Sequence, residues 1–203
     1  MIAVLGVHGI NTPQDFDYAS SWQKILKCPV AAARWESTGT IGRDVLKVTL
    51  NHAFQKRQVE RLAKRVFDFN AGLQASKTAG VIVAHSMGEP LVLAAERELR
   101  LAGAGTCLDY ITIGGPLSHP IWGSSLRAVG LGRPTAQTPI RFWNYDDGVC
   151  CSRLAWSIQP SWCINRRVAV AGDTGFFVEH PAELYLSNPN VKRAIYERSH
   201  SRG

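Results

Sequence analysis

Apolar residues fall into short uninterrupted runs that alternate with longer stretches of helical periodicity. The runs IAVLGV, GVIVAH and DYITIG show little alternation between apolar and polar positions. Strands buried on both faces of a parallel sheet have this pattern, whereas half-exposed strands alternate. The pattern predicts strands at Ile2–Val7, Ala31–Trp35, Gly80–His85, Leu108–Ile113, Ile140–Tyr145 and Arg167–Ala171.

The stretches between these runs have the periodicity of helices with one apolar face. Helices are predicted at Tyr18–Lys27, Asp44–Gln74, Gly88–Leu101 and Ala182–Arg198. Alternating strands and helices indicate an α/β fold, with a mostly parallel sheet of about six strands and helices on both faces. The 203 residues show no repeat and no linker, so we expect a single domain over residues 1–203.

The charge balance is basic, with a net charge of +7 and a pI of about 9.4. Such a balance can favour anionic partners, or it can serve solubility alone. No nucleic-acid motif accompanies it, so we expect no nucleic-acid partner. Arg57, Arg61 and Arg65 share one predicted helix face. That face is either simply solvated or a peripheral contact with an anionic membrane.

Targeting and cofactor motifs add little. No apolar run approaches the ~20 residues that cross a bilayer, and the first residues lack a charged region and a cleavage site. We therefore expect a cytoplasmic protein. The five cysteines fit no zinc template, and neither a phosphate-binding loop nor a dinucleotide fingerprint is present. We expect no metal and no organic cofactor, and the oligomeric state stays open.

The segment AHSMG, residues 84–88, lies between a predicted buried strand and a predicted helix. A sharp strand–turn–helix connection strains its central serine and requires small residues two positions before and after it. Ala84 and Gly88 meet this requirement around Ser86. The arrangement is typical of the nucleophile elbow, G-x-S-x-G, with alanine in place of the first glycine. The alternative is an ordinary strand–helix turn that happens to contain a serine.

Five segments together suggest a family: VHGI at 7–10, AHSMG at 84–88, ITIGGP at 111–116, YDDGV at 145–149 and EHPAELYLSNPNV at 179–191. On these segments the chain resembles the α/β-hydrolase superfamily in its esterase/lipase branch. It is similar to small lidless bacterial lipases, whose elbows also read Ala-x-Ser-x-Gly. The resemblance implies a Ser–Asp/Glu–His triad in that chain order.

A serine hydroxyl needs an adjacent base to act as a nucleophile. We predict that His180 is the base of Ser86, because it immediately precedes the last predicted helix, where the family places its histidine. His119, on a loop after a predicted strand, is the rival. His85 lies within the elbow and should point away from Ser86.

The base needs a carboxylate that holds its tautomer. Two candidates follow a predicted strand, and we favour Asp147 because it matches the acid position of the family. Asp146 should face the other side of an extended chain. Asp173, on the segment before His180, is a weaker candidate.

The oxyanion of the tetrahedral intermediate needs preorganised N–H donors. We expect one from the backbone of Met87, and the resemblance implies a second from Ile10, after the His-Gly dipeptide. Residues that could contact the substrate are Asn11, His119, Trp122, Trp156 and Trp162.

These observations predict a serine esterase or lipase acting on a small-molecule or lipid ester. A thioesterase, an acyltransferase or an amidase would share the triad, and a catalytically silent binding module would share the fold. Two loops, Pro116–Pro139 and Gly148–Asn165, could border the site. Both are short for a separate cap, so we expect an open, shallow site.

Overall fold

The computed structural model describes residues 2–9, 12, 15–118, 120–131, 142–146, 164–167 and 181–200. The described strands form one all-parallel sheet in the order β2-β1-β3-β4-β5-β6. They are β1 (Ile2–Val7), β2 (Val30–Ala33), β3 (Ala79–His85), β4 (Asp109–Ile113), β5 (Phe142–Asp146) and β6 (Ile164–Arg167). This sheet confirms the predicted α/β architecture, while the single domain over residues 1–203 stays a prediction.

Helices cover both faces of the sheet. They are α1 (Tyr18–Leu26), α2 (Ile41–Leu50), α3 (His52–Ser76), α4 (Gly88–Leu101), α5 (Pro120–Ala128), α6 (Ala182–Ser187) and α7 (Pro189–His200). One core cluster joins the sheet to α2, α3, α4 and α5, and a second joins the other face to α1, α6 and α7.

The strand order reverses between β1 and β3. The chain moves from β1 outward to β2 on one side, and from β3 outward through β4, β5 and β6 on the other. In open parallel sheets such a reversal opens a crevice at the carboxyl ends of the two strands. His8 and Gly9 follow β1 at this point, and Ser86 follows β3.

Two predicted helices are each divided in the structure. The prediction of one helix over Asp44–Gln74 is wrong, because Asn51 separates α2 from α3. Its backbone adopts an extended conformation, and its side chain accepts a hydrogen bond from the Phe54 N–H at 2.9 Å. The helix predicted over Ala182–Arg198 is interrupted at Asn188, because Pro189 lacks the N–H that would continue α6.

Smaller differences concern strand ends and one loop. The second strand begins at Val30 and ends before Arg34, and β6 begins at Ile164 rather than Arg167. Residues 168–171 of the predicted sixth strand lie outside the described residues. Helix α5 occupies part of the segment predicted as the Pro116–Pro139 loop.

Candidate active site

Ser86 occupies a sharp turn between β3 and α4. Its backbone has a φ of 50°, in the left-handed region that residues with a Cβ adopt at a cost of about 1–3 kcal/mol. The Ser86 N–H donates to the Ile113 carbonyl of β4 at 3.0 Å, and its own carbonyl accepts from the Glu89 N–H at 3.0 Å. These two hydrogen bonds offset the strain and hold the serine, which is partly exposed, at the carboxyl edge of the sheet.

Two glycines allow backbone segments to approach this turn. A Cβ on Gly88 would lie 2.7 Å from the His8 carbonyl oxygen and 2.9 Å from that of Val7. A Cβ on Gly9 would lie 2.8 Å from the Ser86 Cβ. Only glycine fits at either position without a shift of the backbone. The segment after β1 is therefore packed directly against Ser86.

Met87 is the N-cap residue of α4 and is buried. The first N–H groups of a helix have no acceptor within the helix, and the helix dipole makes this end electropositive. The Met87 N–H belongs to this group of donors and directly follows Ser86. Such a position can stabilise negative charge that develops beside the serine.

His8 is a buried histidine beside the same turn. Its Nδ1 donates to the Gly9 carbonyl at 2.7 Å, and its Nε2 accepts from the Trp35 N–H at 3.3 Å. Burial lowers the pKa of His8 from 6.5 to about 4, so the ring is neutral at physiological pH. The Trp35 indole stacks on it, with ring centroids 5.4 Å apart, and donates to the His8 carbonyl at 2.8 Å. The ring thus holds the segment after β1 in place.

Glu89 is a buried carboxylate in the first turn of α4, with 1% of its surface exposed. Thr112 Oγ1 of β4 donates to it at 3.1 Å, and the Leu117 N–H of the following 3₁₀ turn donates at 2.9 Å. A Cβ on Gly115 would lie 2.2 Å from the Glu89 Cδ, so that glycine makes room for the carboxylate. Glu89 thereby connects the segment after β4 to α4 through hydrogen bonds.

Sequence reasoning missed these supporting roles of His8 and Glu89. The partners of Glu89 lie 23 and 28 residues away along the chain, and Trp35 lies 27 residues from His8. No local pattern records such distances. The His-Gly dipeptide and the second glycine in ITIGGP were the available clues, and they marked the segments without their side-chain contacts.

The other predicted site residues fall into two groups. Trp122 lies in α5. The remaining ones lie outside the described residues: Asp147, His180, Ile10, Asn11, His119, Trp156 and Trp162. Within the described part of the chain, no three His, Cys, Asp or Glu side chains are grouped as metal ligands, and no helix there is long and apolar enough to cross a membrane.

Similar folds occur among solved structures. RedJ, a thioesterase from the prodiginine biosynthetic pathway of Streptomyces coelicolor, matches with a TM-score of 0.52 and 13% identity over 98% of this chain and 90% of RedJ. A dienelactone hydrolase from Anabaena variabilis matches with a TM-score of 0.50 and 14% identity over 97% of this chain and 84% of that protein.

The parallel sheet, the reversal between β1 and β3 and the strained serine turn define an α/β-hydrolase fold. At 13–14% identity these likenesses establish the fold alone. No protein-family model and no curated protein sequence matches the chain.

Proposed function

We propose that the protein is a serine hydrolase that cleaves carboxylic esters, with Ser86 as its nucleophile. The observation that carries this proposal is the left-handed backbone of Ser86, directly after β3 and against Gly9. An ordinary strand–helix turn has no need of a strained, non-glycine residue at this position. Backbone strain at a partly exposed serine supports a chemical role for its hydroxyl.

The reaction proceeds through an acyl-enzyme. Ser86 Oγ attacks the acyl carbon while His180 accepts the hydroxyl proton, and the Met87 and Ile10 N–H groups donate to the oxyanion. His180 then returns the proton to the alcohol, which leaves as the carbon–oxygen bond breaks. Water, deprotonated by His180, attacks the acyl carbon, and the acid leaves as Ser86 regains its proton.

Residues next to His180 and Asp147 support their proposed roles as the base and the carboxylate of the triad. Pro181 is the N-cap of α6, and His180 immediately precedes it. Asp146 ends β5, two strands from β3 in the sheet, and Asp147 follows it. Both ring nitrogens of His8 are engaged by backbone groups, so this histidine is not a candidate for the base.

The substrate class is a separate part of the proposal and has its own test. RedJ is described as a thioesterase, and a thioester would form the same acyl-enzyme. A substrate panel should therefore pair p-nitrophenyl esters of increasing chain length with thioesters and anilides of matched acyl groups. An added alcohol would reveal acyl transfer. Helix α5 carries Trp122 and follows the 3₁₀ turn that Glu89 holds, so this helix is the first candidate for a substrate wall.

The test is covalent labelling by a fluorophosphonate, combined with ester turnover. Wild-type protein should be labelled at Ser86, and Ser86→Ala should lose both labelling and several orders of magnitude in kcat. Ser20→Ala removes an exposed serine from α1 and is the matched control. It should behave as the wild type. Persistent turnover in Ser86→Ala would refute the mechanism, and an unlabelled, inactive wild type would indicate a silent binding module.

A further inference from the structure

Helix α2 presents an apolar face to solvent. Asp44 and Val48 point inward and are fully buried, whereas Leu46 and Leu50 are 58% and 72% exposed. Residues four apart share a helix face, so the two leucines form one continuous surface. The other large apolar side chains that are exposed in the described part of the chain lie singly on separate elements: Phe16, Phe67, Leu101 and Tyr196.

Positive charge accompanies these leucines along the chain. Arg43 and Lys47 are exposed on α2, and Arg57 is exposed near the beginning of α3. Residues 41–57 contain one carboxylate, Asp44, and it is buried. It accepts hydrogen bonds from Ser37 and Thr38 in the preceding loop. The exposed charge of this segment is therefore entirely cationic.

The middle of α3 differs in this respect. Arg61 pairs with Glu36 at 2.8 Å and Lys64 pairs with Asp68 at 2.8 Å. The sequence had suggested that an anionic membrane could bind the face formed by Arg57, Arg61 and Arg65. One of its three arginines is paired with a carboxylate, and it has no pair of exposed leucines, so that face is a poorer lipid site than α2.

Helix α2 begins near the same edge of the sheet as Ser86. The helix follows the loop at the carboxyl end of β2, and Val48 shares a core cluster with Trp35 and Phe54. Asp44 is close enough to His8 that its carboxylate slightly opposes the lowering of the His8 pKa by burial. A flat partner that contacts α2 would therefore lie beside the carboxyl edge.

We propose that α2 is a membrane-docking surface, with Leu46 and Leu50 entering the headgroup region of an anionic phospholipid layer. Arg43, Lys47 and Arg57 then contact lipid phosphates. Two leucines on a convex helix offer roughly 200–300 Å², well below the ~800 Å² per partner of a stable protein interface. A lipid layer needs no such area, because charge and a shallow apolar contact act together. This proposal does not depend on ester hydrolysis.

Vesicle cosedimentation tests the apolar part of the surface. Wild-type protein should bind vesicles of phosphatidylcholine with about one-third phosphatidylserine, and should bind pure phosphatidylcholine far more weakly. Leu46→Ser combined with Leu50→Ser should weaken binding at least about tenfold. Leu101→Ser is the matched control, since Leu101 is 63% exposed at the far end of α4. It should bind as the wild type.

A second pair of variants tests the charges, and both variants lose the same two units of net charge. Arg43→Gln with Arg57→Gln should lower the affinity about tenfold and reduce its dependence on salt. Lys24→Gln with Arg193→Gln removes two exposed cations from α1 and α7. This variant should change neither the affinity for vesicles nor its dependence on salt. Thermal unfolding of each variant shows that the fold is retained.

Three results would overturn the docking surface. The first is a wild type that ignores anionic vesicles or binds neutral ones equally well. The second is an equal loss of binding in the local and remote charge pairs, which would indicate a general effect of net charge. The third is a dimer in sedimentation velocity that the leucine substitutions dissociate, which would make a second copy of the chain the occupant.

Discussion

Helix α4 carries one buried glutamate toward each edge of the sheet, and the two glutamates hold different structures together. Glu96, at the amino edge, pairs with Arg100 at 2.8 Å and accepts hydrogen bonds from Thr106 and Tyr110. Its partners are one cation, two hydroxyl groups and one backbone N–H, and none of these residues has a left-handed backbone. Burial nevertheless raises the pKa of Glu96 above its usual value.

Glu89, two turns earlier, braces the strained turn of Ser86 at the carboxyl edge. Around it the backbone is packed closely enough that Gly9, Gly88 and Gly115 have no room for a Cβ. The comparison teaches that burial of a carboxylate does not by itself identify a functional group. At one edge it stabilises the fold, and at the other it fixes the geometry of a partly exposed nucleophile candidate.

The strongest test of a chemical role for the carboxyl edge is a substitution of Asp147, the carboxylate of the proposed triad. Asp147→Asn should lower kcat by about four orders of magnitude, because an amide favours the wrong tautomer of His180. Asp146→Asn is the matched control one residue earlier and should cost far less. Steady-state kinetics on a soluble ester measures both. A reversed order of effects would move the acid to Asp146.

On acidification, buried groups at the two edges of the sheet should change the free energy of unfolding in opposite directions. Between pH 4 and 6.5 the unfolded chain protonates His8 while the folded state does not, so the free energy of unfolding falls on acidification. The difference between 6.5 and about 4 corresponds to about 3 kcal/mol. His8→Gln should remove this dependence, as measured by urea unfolding across the range.

Glu96 should act in the opposite direction. Its folded pKa lies above the unfolded value of 4.5, so its contribution to stability falls as the pH rises through the folded pKa. Glu96→Gln should therefore steepen the loss of stability on acidification. If the free energy of unfolding depends on pH in both variants as it does in the wild type, neither His8 nor Glu96 has the shifted pKa that its burial implies.

The smallest effects should distinguish the two glutamates directly. Glu89→Ala and Glu96→Ala each leave buried donors without an acceptor, at a cost of about 2 kcal/mol in the free energy of unfolding. Only Glu89→Ala should also lower kcat, by about tenfold, because the turn of Ser86 loses its brace. Glu89→Gln, which keeps an acceptor, should recover most of the rate. Equal kcat values in the two alanine variants would assign Glu89 to stability alone.

The sequence predicted the elements whose ends are marked locally. The β1 and α4 bounds match the prediction, because His8 and Gly9 interrupt the apolar run after β1, and glycines mark both ends of α4. The division at Asn51 was missed, since Asn51 lies between two helical patterns with no glycine or proline to mark the break. It caps α3 through a side-chain hydrogen bond, which an amphipathic pattern does not record.

Part of the candidate site could also be predicted, because its sequence signal is local. The small residues around Ser86 report a steric requirement of a single turn, so Ser86 and Met87 could be proposed from five residues. The braces from His8 and Glu89 depend on partners brought together by the crossovers of the sheet. The proposed acid and base rest on the family resemblance and the flanking elements, and they stay predictions.

The internal position of β1 in the sheet has a consequence for the order of folding during synthesis. Val4 of β1 shares a core cluster with Ile195 of α7, 191 positions later in the chain. At about 5–20 residues per second, a ribosome takes roughly 10 to 40 s to add the intervening residues. The other face of the sheet draws on helices up to α5 and can be covered earlier. Helix α1 can cover part of this face early, but the part that packs against α7 stays exposed until α7 has emerged, and chaperones have that interval in which to bind it.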